Sequence, residues 1–120
     1  MPSPATLKAF IAEVEAGRFV EAMEAFYADH ATMRENLAPP RVGLANLIEH
    51  ERKSLTRSHS VVGRLVGPVL HDGDHVAAQW HWTFAGIDGK TRTLEEVAWQ
   101  RWEGERIVEE RFFYDPAQMA

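Results

Sequence analysis

The chain has no cysteine, which removes disulfides, thiolate nucleophiles and cysteine-based zinc sites from consideration. No apolar run approaches the ~20 residues that span a bilayer. The opening Met-Pro-Ser-Pro-Ala-Thr lacks a basic stretch leading into an apolar one. The expectation is a soluble cytoplasmic protein without a membrane partner. Basic charge is also scarce: 13 Lys and Arg face 18 Asp and Glu, a net charge of −5. Affinity for a phosphate backbone is largely lysine and arginine electrostatics, so nucleic acid is not an expected partner. Only Arg52, Lys53 and Arg57 lie close together, at the spacing of a solvated helix face.

Several reactive motifs are absent too. No serine sits in a nucleophile elbow, no glycine loop cradles phosphates and no dinucleotide fingerprint occurs, so no nucleotide cofactor is expected. His50-Glu51 lacks the second histidine of a zinc-protease helix. His75 and His81 share strand parity, but at ~3.3 Å per residue they stand too far apart to bind one ion. His71-Asp72-Gly73-Asp74-His75 reads as a turn whose aspartates bond their own backbone. No metal site is predicted.

What remains is a chain of 120 residues, 45% hydrophobic and 26% charged, suited to one core over residues 1–120. Ser3-Pro4 is a helix start, with a capping oxygen and a proline in the first turn, and Leu7, Phe10, Ile11 and Val14 follow at helical spacing until Gly17. A second helix is predicted over 19–27 and a short strand over 31–35 before Pro39-Pro40 breaks the chain. A third helix begins near Gly43, with Leu44, Leu47, Ile48 and Leu55 as its apolar stripe. From His59 onward the period becomes alternating. Asp-Gly and Glu-Gly-Glu turns mark four long antiparallel strands near 59–71, 75–87, 90–102 and 106–115. Helices first and a meander afterwards is an α+β pattern.

With Asp88-Gly89 as a two-residue turn, Gln79 pairs with Ala98, His81 with Glu96 and Thr83 with Leu94. Trp80, Trp82, Val97 and Trp99 then share the opposite face. By hydrophobicity alone, that aromatic face would be the core. A three-residue loop at Glu103-Gly104-Glu105 sets Phe112 opposite Glu96 and Tyr114 opposite Leu94. A two-residue loop would bring Arg111 beside Glu96, and a one-residue slip exchanges the faces.

The run Phe26-Tyr27-Ala28-Asp29, the short strand, the proline loop closing on Gly43, and the stretch from Arg106-Ile107-Val108 to Tyr114-Asp115 resemble SnoaL-like members of the nuclear-transport-factor-2 (NTF2-like) superfamily over nearly the whole chain. The resemblance implies a cystatin-like cone: N-terminal helices packed on a strongly bent antiparallel sheet around a pocket, often in a dimer. Family members include polyketide cyclases, ketosteroid isomerases, limonene epoxide hydrolases, dehydratases and non-enzymatic binding domains, so the fold does not name the function. In relatives of the epoxide hydrolase type the positions matching Gln79, His81 and Phe112 face the pocket. That parity turns Trp80, Trp82 and Trp99 outward, onto a sheet face that would pair with a second copy of the chain.

The pocket implied by this parity is lined by Phe10, Met23, Met33, Glu35, Leu55, Gln79, His81, Thr83, Leu94, Glu96, Gln100, Glu110, Phe112 and Tyr114. Its expected ligand is a small apolar organic molecule. A His81–Glu96 pair would orient the imidazole and Glu35 would accept a proton, a catalytic set for cofactor-free isomerisation, cyclisation or hydration. Glu35 matches the general base of the isomerases, whereas their oxyanion-hole donors match Phe10 and Ala98, which cannot donate. The epoxide hydrolase Asp-Arg-Asp set matches His81, Gln79 and Phe112, so that mechanism is not implied. The same residues also admit a non-catalytic binding or dimerisation module, with His81–Glu96 as a self-satisfied pair and Glu35 in water.

Overall fold

The computed structural model describes all 120 residues. Helix α1 (Pro4–Glu15) starts as expected: the Ser3 hydroxyl accepts from the Thr6 backbone N–H at 3.1 Å. Helix α2 spans Phe19–Phe26 and runs directly into strand β1 (Tyr27–Glu35), which is longer than its apolar alternation suggested. After Pro39-Pro40 comes a two-residue strand, β2 (Arg41–Val42). Helix α3 (Leu44–Leu55) then begins at Gly43, whose φ of 92° is a conformation other residues resist. The meander follows as β3 (Ser58–Asp72), β4 (His75–Gly86), β5 (Thr91–Glu103) and β6 (Arg106–Phe113), and a short 3-10 turn, Pro116–Met119, ends the chain.

The six strands form one sheet in the order β2-β1-β6-β5-β4-β3, antiparallel except for the β1–β6 pair. All three helices lie on one side of it. Phe10 of α1 meets Phe26 and Trp102 edge-on, with ring centroids 5.5 and 5.9 Å apart, and Ala31, Leu47, Trp102 and Ile107 are sealed from solvent. No helix is long and apolar enough to cross a membrane.

Two hairpins differ from expectation, and the first decides what the sheet encloses. The Asp88-Gly89 signal does not form a two-residue turn. The Gly86 N–H donates to the Lys90 carbonyl, the Gly89 N–H donates back to the Gly86 carbonyl, and Gly89 takes φ 82°. This is a three-residue loop closed by a left-handed glycine. The Asp88 carboxylate secures it by accepting from the Lys90 N–H and the Arg92 guanidinium, both at 3.0 Å. The extra loop residue slides β4 by one position: Trp80 pairs with Glu96, His81 with Glu95 and Trp82 with Leu94. The expected pairings Gln79–Ala98, His81–Glu96 and Thr83–Leu94 are therefore corrected, because a one-residue slip exchanges the faces of a strand.

At the last hairpin Glu103 pairs with Arg106 across two turn residues, not three. A bulge between Arg101 and Trp102 in the β5–β6 register restores the expected parity. Phe112 lies opposite Ala98 and Glu110 opposite Gln100, both facing the helices.

Candidate functional site

Between the helices and the concave sheet face lies a cavity of about 190 Å³. Inward parity brings Leu94 and Glu96 from β5 to it, Glu110 and Phe112 from β6, Met33 and Glu35 from β1, and Trp80, Trp82 and Phe84 from β4. Helices α1 and α2 add Phe10 and Met23, and α3 adds His50 and Glu51. The two indoles stack at 5.6 Å and 26°. Trp82 lies flat against Gly63 of β3, where even a methyl group would sit 2.4 Å from the ring. The bare backbone at that point lets the indole lie down, and its N–H then donates to one Glu96 oxygen at 2.8 Å.

Glu96 is 9% exposed, and its other oxygen has no protein partner. Burial disfavours its charge, the nearby carboxylates Glu110, Glu35 and Glu51 add to this, and the Trp82 bond opposes it; its pKa is pushed up to about 7. Glu110 is engaged on both sides: the Tyr27 hydroxyl donates to one oxygen, and the Gln100 amide donates to the other at 2.6 Å. Trp102 in turn donates to the Gln100 carbonyl at 3.0 Å. Burial raises the Glu110 pKa to about 7 despite these donors. Burial likewise raises Glu51, and Arg41 partly offsets it. His50 is pushed down by burial and then by Arg41, which favours neutral imidazole.

Arg41 of β2 reaches Glu35 at 3.4 Å, while its Nε–H is buried without an acceptor. Beside them, burial and the Glu35 charge raise the Tyr114 hydroxyl. No group of three potential ligands is arranged to hold a metal ion.

Of the residues expected at the site, Phe10, Met23, Met33, Glu35, Leu94, Glu96, Glu110 and Phe112 line the cavity together. Gln100 is buried behind Glu110, Tyr114 lies beside Glu35, and Leu55 is half-buried outside the lining. His81, Gln79 and Thr83 are displaced from it. With β4 slid by one residue they occupy the outer face, where His81 Nδ1 sits 3.5 Å from Glu95 Oε1, not beside Glu96. The tryptophans divide: Trp80 and Trp82 turn inward and only Trp99 stays outside, 47% exposed. Arg41, His50, Glu51 and the two inward indoles were missed. Glu51 had a readable signal, since it continues the Leu44, Leu47, Ile48, Leu55 stripe at helical spacing.

Solved structures share this architecture. An NTF2-like protein of unknown function from Burkholderia pseudomallei superposes with a TM-score of 0.82 at 17% identity, over 96% of this chain and 92% of its own. A candidate SnoaL-like polyketide cyclase from Jannaschia sp. CCS1 gives 0.82 at 13% identity, over 98% and 92% of the two chains. A second candidate SnoaL-like polyketide cyclase, from Mesorhizobium loti, gives 0.76 at 24% identity, over 92% and 97%. These likenesses are of fold. No curated protein matches the sequence. The SnoaL-like domain family model matches residues 7–110, and this chain belongs to the SnoaL-like domain family.

Proposed function

We propose that the protein binds a small, largely apolar organic molecule in the cavity and moves a proton on it without a cofactor, with Glu96 as the acid/base group. One observation carries this reading: Glu96 is fixed by Trp82 through one oxygen, keeps the other free toward the cavity, and has its pKa near 7. A carboxyl poised at neutral pH both accepts and returns a proton efficiently. In an isomerisation or cyclisation, the Glu96 carboxylate takes a proton from a carbon next to a carbonyl. The electron pair moves onto the carbonyl oxygen. In an isomerisation the proton is later returned to carbon, whereas in a cyclisation the enolate carbon attacks a second carbonyl of the substrate, whose oxygen takes the proton, so either step is balanced within the substrate. The buried Arg41 Nε–H, free of any protein acceptor, is the available donor for that oxygen. Glu35, paired with Arg41, is the second carboxylate.

The test is exchange of α-hydrogens for deuterium in small cyclic ketones and aminoketones, followed by NMR. Wild type should accelerate exchange with a midpoint near pH 7, and Glu96→Gln should lose it by ~100-fold or more. Unchanged exchange in the variant would remove Glu96 from the role. The second reading is a binding module without turnover. It is favoured by Glu110, whose oxygens are both already taken by Tyr27 and Gln100, and acceleration of no ketone at all would select it.

A further inference from the structure

The charge inventory of the cavity is lopsided. Glu35 on β1, Glu51 on α3, Glu96 on β5 and Glu110 on β6 face Arg41 on β2 as the only permanent cation, with His50 on α3 and Tyr27 on β1 as the other titratable groups. The remaining lining residues are uncharged. Arg41 is already committed to Glu35, and Glu110 to Tyr27 and Gln100. Glu96 is left without a counter-charge, and Glu51 has no ion pair of its own, feeling only the Arg41 that Glu35 already holds. Glu96, 9% exposed, has an oxygen that no protein group meets.

The walls around these carboxyls are aromatic. Trp80 and Trp82 stack against one another, Phe19 tilts onto Trp82 at 5.6 Å, and Phe10, Phe84 and Phe112 complete the lining. The face of an aromatic ring is negative, and tryptophan attracts a cation most strongly. Ring faces and unpaired carboxyls both disfavour an anion and both reward a positive charge wrapped in apolar groups.

We infer that the cavity selects a cation, a small apolar molecule carrying a protonated amine, over neutral or anionic molecules of the same shape. The inference rests on the reading of the cavity as a small-molecule site and specifies what that site takes. A bound ammonium stabilises the ionised carboxyls, so complex formation should release protons. The release should be largest near pH 7, where Glu96 and Glu110 titrate.

Three probes of matched shape test the idea by isothermal titration at neutral pH: phenethylamine, 2-phenylethanol and 3-phenylpropionate. The amine should bind at least ~10-fold more tightly than the alcohol, and the carboxylate should not bind. The heat of amine binding should differ between phosphate and Tris buffers, reporting the released proton. Glu51→Gln and Glu96→Gln should each collapse the preference of amine over alcohol. Both replace a carboxyl by an isosteric neutral amide, so the fold is kept, and near-ultraviolet circular dichroism checks that it is. Equal binding of amine and alcohol would overturn the cation preference while leaving the cavity a small-molecule site. Binding of none of the three would overturn both.

Discussion

Glu110 shows how one side chain can oppose the fold that holds it. It is 4% exposed and its pKa is raised to about 7, so the folded state prefers the protonated acid. Its stabilising contribution is full below the ordinary carboxyl range and is lost as pH rises through 7. Ionising it inside the fold costs at most roughly 3 kcal/mol. The melting temperature should therefore fall by several degrees between mildly acidic and mildly alkaline pH, with Glu96 contributing in the same direction. Glu110→Gln mimics the protonated acid: its amide donates to the Tyr27 oxygen while its carbonyl still accepts from Gln100. Thermal melts of the variant across pH should show a visibly shallower decline, and an unchanged slope would assign the effect to other groups. Its neighbour Glu96 is partly legible in sequence, because Leu94, Glu96, Ala98, Gln100 and Trp102 alternate on one face of a strand. Two polar groups in that row signal a site. Glu51 hides better, as one acid in a helix stripe that otherwise ends at Leu55.

At the scale of elements, local chemistry was sufficient wherever it was unambiguous. Ser3-Pro4 and Gly43 place the starts of α1 and α3, and the turn residues place all four long strands within a few positions. The β4–β5 hairpin was not determined in this way. Asp-Gly serves a two-residue turn and, equally, the last two positions of a three-residue loop ending in a left-handed glycine. Only the Gly86 contacts separate the two: a side chain at Gly86 would meet Asp88 at 2.5 Å. Since Gly89 sits at φ 82°, Gly89→Ala should destabilise the protein by about 1–2 kcal/mol. Urea denaturation would detect this as a lower midpoint with an unchanged slope. A variant as stable as wild type would mean that the loop relaxes freely.

At the scale of the molecule, the outer sheet face keeps an apolar patch after the two indoles turn inward. Val62, Val97, Trp99 and Phe113 are 47, 39, 47 and 43% exposed, and Arg111 lies over the Phe113 ring at 4.4 Å. The pairing of two copies, expected from the sequence through Trp80, Trp82 and Trp99, is now proposed through this smaller patch, with Trp99 as its anchor. Light scattering at micromolar concentration should give a dimer mass, and Trp99→Glu should give the monomer. A monomeric wild type would end the proposal. The β4–β5 loop stands outside both surfaces and yet assigns their contents. Trimming one residue from its tip would, by strand geometry alone, trade indoles for imidazole inside the cone. In a lineage built on this scaffold, a single-codon deletion at the rim could therefore recast the interior without touching any residue that lines it.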